Sequence, residues 1–151
     1  MFRQRPADLL FAQAQKKNVA VIARVPLASG MLTGKMSADS VFPSDDHRAF
    51  NRHGEAFDVG ETFSGVPYDI ALKAVDELRA VVPVDASMAQ LALRWILMED
   101  AVSVIIPGSK NAIQAASNVS AASLAPLPDE AMQRVREVYE RHIAPQVHQR
   151  W

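Results

Sequence analysis

Two stretches of the chain place groups suited to holding an anion where an apolar run gives way to a turn. "VIIPGSKN", Val104 to Asn111, offers Gly108, the Ser109 hydroxyl and the Lys110 ammonium just before a helical pattern begins. "VPLASGMLTGK", Val25 to Lys35, offers Ser29 and Gly30, with Lys35 further on. Glycine lets a backbone approach a ligand closely, a helix start presents unpaired N–H groups and positive potential, and lysine adds a full charge. The chemistry these groups suit is the gripping of phosphate. Each stretch also has a plainer reading, since Pro-Gly is common turn punctuation and Ser or Asn before a helix is a common cap. "TGK" does not complete a nucleotide-binding P-loop: Ser29 stands where that pattern needs a glycine, and no helix follows directly.

Both stretches follow segments that read as strands. "VAVIARV", Val19 to Val25, is β-branched and nearly continuous, the pattern of a strand covered on both faces. "AVSVIIP", Ala101 to Pro107, is the second. Around them the spacing predicts helices. One runs from Pro6 to Lys17, with Leu10 and Ala14 on one face. Another carries Ala71, Val75, Leu78 and Val82 and stops near Pro83. A third, about Ser87 to Glu99, buries Met88, Leu91, Ala92 and Trp95, with Asp85 or Ser87 as its cap. Asn111 followed by Gln114 resembles a capping box for a fourth. A last helix starts at Pro128 and buries Met132, Val135 and Tyr139. From Ala28 to Val66 apolar periodicity fails and Gly, Ser and Asp are frequent; the stretch 36–66 is a long loop, of a length that tends to be functional.

Strands alternating with helices imply an α/β fold with parallel pairing and right-handed crossovers. Two strands cannot form a sheet with two covered faces or close a barrel, so the chain reads as part of something larger. In parallel α/β folds ligands sit at the C-terminal ends of strands, which is where both anion-suited turns fall.

Composition narrows the rest. The 151 residues carry a net charge of −1 with scattered basic residues, which argues against a nucleic-acid partner or a polybasic membrane segment. No stretch approaches the ~20 apolar residues of a membrane span, and "MFRQRPADLL" lacks the apolar core of a secretion signal. There is no cysteine, hence no disulfide, thiolate metal site or cysteine nucleophile. A cytoplasmic location is expected. His47, His53, His142 and His148 lie in the loop or near the C-terminus. Pairs such as Asp46 with His47, or His53 with Glu55, lack the spacing that converges metal ligands.

Taken together, "VAVIARVPLASGMLTGK", "LALRWIL", "VSVIIPGSKNAIQAASN" and "VYERHI" resemble the C-terminal half of the aldo/keto reductases, NADPH-dependent (β/α)8-barrel oxidoreductases. The resemblance covers nearly the whole of residues 1–151. It implies a partial (β/α)8 TIM barrel holding the last two strands and the C-terminal helices, with Val19–Val25 as the seventh strand and Ala101–Ile106 as the eighth. It implies NADP as cofactor and a small-molecule carbonyl as substrate. By position, Arg24 falls where the family sets a side chain against the nicotinamide ring, and a guanidinium plane can stack there. Leu27, Ser29 and Gly30 fall at the pyrophosphate, and Gly108, Ser109 and Lys110 at the adenosine 2′-phosphate. Gln114 and Asn118 fall on the following helix, where phosphate and adenine are contacted. Without the resemblance, Arg24 reads as a strand-end ion pair, Gln114 as a cap partner and Asn118 as a helix terminator.

The sequence also departs from the family. Many members have lysine where Gly108 stands and arginine where Gln114 stands, which removes two positive charges from the phosphate site; Lys110 offers compensation, so NADP stays favoured over NAD. The family's catalytic tyrosine, lysine, aspartate and histidine belong to the early strands, so no catalytic residue is assigned here, Tyr68 and Tyr139 included, and the chain alone is expected to be inactive. The competing expectation is a non-catalytic half-barrel that associates with itself or a partner chain through exposed strand edges, with or without nucleotide. Arg48, Arg52 and Asp45 in the 42–65 loop suit either a flap over the cofactor or solvated surface ion pairs.

Overall fold

The computed structural model describes residues 1–150. Its helices form where the 3.6-residue pattern puts them. Helix α3 (Tyr68–Leu78) buries Ala71, Ala74, Val75 and Leu78 along one face. Helix α4 (Met88–Leu97) opens with a reciprocal cap: Ser87 Oγ accepts from Gln90 N at 3.2 Å, and Gln90 Oε1 accepts from Ser87 N at 2.8 Å. It buries Met88, Leu91, Ala92, Leu93 and Ile96, while Trp95 is only partly covered. Helix α6 (Asp129–Val138) carries Asp129 and Glu130 in its first turn, where they complement the helix dipole. It runs on through a π-helical segment, Tyr139–Ile143, into the short α7 (Ala144–Val147). Its buried side is Ala131, Val135, Val138 and Tyr139; Met132 is half-buried. Glu77 of α3 clamps this terminal assembly through Arg134 at 2.9 Å, Arg141 at 3.0 Å and His142 at 2.7 Å.

The N-terminal helix differs from its expectation. It is a π-helical segment, Ala7–Phe11, followed by α1 (Ala12–Lys16), and Ala14 alone is buried. Leu10, expected on a covered face with Ala14, is exposed.

Strands β1 (Val21–Ala23) and β2 (Val102–Ile105) form one parallel two-stranded sheet. Both are shorter than their apolar runs: Val19 N turns back to Ala14 O at 2.8 Å before β1 begins, and Pro26 and Pro107 lie just past the ends of the pairing. Pairing runs Val21↔Val102, Ile22↔Val104 and Ala23↔Ile105, with an irregularity after the first pair. Ser103 takes up the extra residue and its hydroxyl accepts from Val21 N at 3.2 Å. The expectation of a strand covered on both faces is corrected. Ile22 is 59% exposed, Val104 44% and Ile106 62%, so one apolar side of the pair faces outward. The α/β character holds; the core lies on the helical side, around Met31, Leu32, Leu78, Leu91 and Val135.

The long segment after β1 has no extended strand or long helix, as its broken periodicity predicts. It is nevertheless well packed. It holds a 3-10 turn Met31–Thr33, the single-turn α2 (His47–Phe50), and the turns Val59–Glu61 and Phe63–Gly65. Phe42, Phe63 and Tyr68 cluster with ring centroids 5.1–6.2 Å apart. Arg52 stacks over all three rings, and Arg48 lies 4.6 Å above Phe42. Asn51, fully buried, accepts from Ala56 N and Phe57 N at 2.8 Å and donates to Thr62 Oγ1 at 3.1 Å.

Candidate functional site

Because β1 and β2 are parallel neighbours, the turns that follow them leave the same end of the sheet. Ile106 N donates to Ala23 O at 3.2 Å and carries the pairing up to the point where Pro26 and Pro107 divert the two chains. The nine candidate residues then fall into two groups.

The first group follows β1. Its backbone is tightly wound: Val25, Ala28 and Ser29 all have positive φ, at 48°, 49° and 55°, and Gly30 has φ 91°. A β-branched residue at positive φ is an outlier that costs on the order of 1–3 kcal/mol. Leu27 is half-buried against the core, and its carbonyl accepts from Gly30 N at 3.0 Å and Leu32 N at 3.1 Å. The Ser29 hydroxyl is already engaged, donating to Glu61 O at 3.3 Å and accepting from Phe63 N at 3.1 Å. The Ser29 carbonyl accepts from Arg48 Nη1 at 3.4 Å. Arg24 reaches out from the strand end and pairs with Glu61 Oε2 at 2.6 Å.

The second group follows β2. Helix α5 (Ala112–Ser120) is capped by Asn111, whose Oδ1 accepts from Gln114 N at 2.9 Å. The expected capping box is only half formed. Gln114 Oε1 reaches one residue further back, to Lys110 N at 2.8 Å, and so orders the turn rather than the cap residue. Asn118 is a brace: its Nδ2 donates to Ser109 Oγ at 2.9 Å and to Gly108 O at 3.3 Å. Gly108, Ser109, Lys110, Gln114 and Asn118 are thus one cluster. It is exposed, and a Cβ on Gly108 would meet nothing within 4 Å.

The donor set of the second cluster fits a phosphate. It holds a hydroxyl, an ammonium and the N-terminus of a nine-residue helix, with no acidic residue in the helix's first turn and open space over Gly108. The first cluster offers a guanidinium and a constricted turn. A cleft of about 720 Å³ runs beside the strands, lined among others by Ile22, Arg24, Asp58, Glu61 and Trp95. Of the nine candidates it takes in Arg24 alone. The other eight lie outside it, Gly108, Ser109, Lys110 and Gln114 exposed and Leu27, Ser29, Gly30 and Asn118 partly covered.

Other polar groups weighed from the sequence have structural partners. Asp46 caps α2 and pairs with Arg48 at 2.6 Å, so the loop's ion pair uses Asp46 and not Asp45. The hydrogen bond from Arg48 holds the Asp46 carboxyl down at about 2. His47 lies 3.5 Å from the same carboxylate, while Glu55 accepts from the backbone of His53. Among the described residues no group of three or more His, Asp and Glu converges as metal ligands. Tyr68 donates to Ser37 O at 2.8 Å. Tyr139 pairs with His148 Nδ1 at 2.8 Å, and burial pushes its phenol pKa up, opposite to what a general acid needs. No described helix is long and apolar enough to cross a membrane.

A model of the aldo/keto reductase family matches residues 1–140. The chain belongs to that family. Among curated relatives of this aldo/keto reductase chain, an aldo-keto reductase of Strobilurus tenacellus is 30% identical over 142 residues, 93% of this chain and 39% of that protein. The L-glyceraldehyde 3-phosphate reductase of Escherichia coli K12 is 33% identical over 107 residues, 71% of this chain and 30% of that protein. In structure, a glycerol dehydrogenase of Gluconobacter oxydans superposes with a TM-score of 0.74 at 27% identity, over 94% of this chain and 40% of that one. The chain therefore spans about two-fifths of the length of these aldo/keto reductase relatives or less.

Proposed function

We propose that this chain is the cofactor-holding C-terminal portion of an NADP(H)-dependent aldo/keto reductase that reduces aldehydes or ketones to alcohols. In this reading it forms the last two strands and outer helices of a (β/α)8 barrel, and the catalytic tetrad comes from the strands that precede it. The observation that carries the reading is the pairing of β1 with β2, which sends the turn of Gly108, Ser109 and Lys110, whose donors suit a phosphate, and the turn after Arg24 off one end of adjacent strands. The activities of these relatives, reduction of L-glyceraldehyde 3-phosphate and dehydrogenation of glycerol, support carbonyl–alcohol interconversion.

When bound, the nicotinamide supplies the hydride that reduces a carbonyl carbon. The chain's own residues bind and orient. Arg24 lies against the ring as a flat cation. Leu27, Ser29 and Gly30 present the wound turn to the pyrophosphate, where glycine permits close approach. Ser109 and Lys110 grip the 2′-phosphate over the open space at Gly108. Gln114 and Asn118 hold that turn in shape with one end of each amide and offer the other end to phosphate and adenine.

Titrating the purified chain with NADPH and NADH, before and after Lys110→Ala, tests the reading. A charge-assisted hydrogen bond to phosphate is worth about 1.5–3 kcal/mol, so NADPH binding should weaken roughly tenfold or more. NADH, which lacks the 2′-phosphate, should be nearly unaffected. Equal loss for both would remove Lys110 from the phosphate site.

A second reading draws on the outward-facing Ile22, Val104 and Ile106 and on the free outer edges of both strands. Such a surface suits association with another chain. Size-exclusion mass with and without NADPH separates a monomeric cofactor-binding segment from a self-assembling one.

A further inference from the structure

We infer that Glu61 sets which redox form of the nicotinamide this site prefers, by neutralising Arg24; the inference rests on the cofactor reading above. Arg24 and Glu61 meet at 2.6 Å although their side chains are 71% and 44% exposed. Both line the cleft beside the strands. Glu61 is not a free surface carboxylate that happens to lie near. Its own N–H donates to Asp58 O at 3.0 Å, and its carbonyl accepts from Ser29 Oγ at 3.3 Å. Two residues on, Phe63 is fully buried and takes its N–H to the same Ser29 hydroxyl. One short turn therefore fixes the Glu61 backbone beside the turn proposed for the pyrophosphate, and from there the carboxylate reaches the strand end that carries Arg24.

The consequence is electrostatic. An oxidised nicotinamide carries a positive charge; a reduced one is neutral. An unpaired guanidinium against the ring repels the oxidised form and is indifferent to the reduced one. With Glu61 beside it, the pair presents close to zero net charge, and the oxidised ring is accepted. The other charged groups around the same cleft, Arg3, Asp58, Glu99, Arg136 and Arg150, include both signs.

The test is the affinity of the purified chain for NADP+ and NADPH, by calorimetry and by the fluorescence of the reduced form, for the unmodified protein and for Glu61→Gln. Glutamine keeps the size and one hydrogen-bonding oxygen while removing the charge. For a pair this exposed, NADP+ should bind about three- to fivefold more weakly and NADPH about as before. The difference should shrink in high salt, which screens the uncovered guanidinium. The double variant Arg24→Met with Glu61→Gln removes the cation as well and should restore the NADP+ to NADPH ratio of the unmodified chain. Equal weakening of both forms would mean that Glu61 merely pins the loop, and would overturn the inference while leaving the cofactor reading in place. Binding of neither form by the unmodified chain would remove the cofactor reading, and this inference with it.

Discussion

Replacing Asp46 with asparagine should release the clamp that holds the 42–65 loop against the turn after β1, while leaving the cap of α2 in place. Asp46 Oδ1 accepts from Arg48 N and Nε, both at 2.9 Å, and Oδ2 accepts from Arg48 Nη2 at 2.6 Å. Arg48 is then positioned over Phe42 and donates to the Ser29 carbonyl. The carboxyl pKa falls from 3.8 to about 2, first because of the Arg48 side-chain hydrogen bond. A carboxylate with a depressed folded pKa adds stability that is fully present above its unfolded value. That stability drains away as the pH falls through the folded value. The gap between 3.8 and about 2 corresponds to roughly 2 kcal/mol at 1.36 kcal/mol per tenfold change. Partial solvent access, 19% for Asp46 and 22% for Arg48, brings the expected effect to about 1 kcal/mol. Urea unfolding of the chain and of Asp46→Asn, followed from neutral pH down to about pH 2, measures it. The variant should be less stable by about that amount at neutral pH, and the difference should close between about pH 4 and about pH 2. Asp46→Ala, which also removes the cap, should lose about 1 kcal/mol more at every pH. A gap between chain and asparagine variant that is as wide in acid as at neutral pH would refute the charge argument.

Two further substitutions test the local structure around the site. Asn51→Leu strands two backbone N–H groups and the Thr62 hydroxyl in the interior, and should cost about 2–4 kcal/mol by denaturant unfolding; a loss below about 1 kcal/mol would show that water reaches them. Val25→Gly relieves a β-branched residue held at φ 48° directly before Pro26, and should raise stability by about 1 kcal/mol; a fall in midpoint would mean that the lost side-chain contacts outweigh the strain.

The elements that position the site were legible because each announces itself locally. The β-branched runs, the Pro-Gly break after Ile106 and the spacing of Leu91, Ala92 and Leu78 act over a few residues, and the strands and helices stand there. Strand ends were not legible: Val19 N turns back to Ala14 O at 2.8 Å and Val25 sits at positive φ before Pro26, and an apolar run does not report where backbone pairing begins and stops. Long-range polar pairing was equally silent. Arg24 and Glu61 are 37 positions apart, and nothing in the composition of the loop selects Glu61 over Asp58 or Glu55. Asp46 did carry a signal, an Asx residue before a short helical run, but Asp45 beside it reads the same way. The shift of Gln114 from Asn111 to Lys110 turns on the extended backbone of Asn111, at φ −157° and ψ 168°, which no spacing rule contains.

The stability of the molecule and the geometry of its proposed cofactor cradle have different sources. The buried residues come mainly from α3, α4, the terminal helix and the long segment after β1, with Met1, Phe2 and Leu127 added, and none is from the strands. The cradle depends on one relationship, the pairing of Val21–Ala23 with residues about eighty positions later. That pairing is short, irregular at its first step and uncovered on its apolar side. A ligand that engaged both turns would tie these distant segments together across this short pairing, and its binding would favour the paired state by mass action. The same argument applies to a polypeptide covering Ile22 and Val104: it would steady the strand register on which both turns depend, and so would strengthen cofactor binding without touching the cofactor. Coverage of the sheet and occupancy of the proposed cradle would then be coupled, each stabilising the arrangement the other requires.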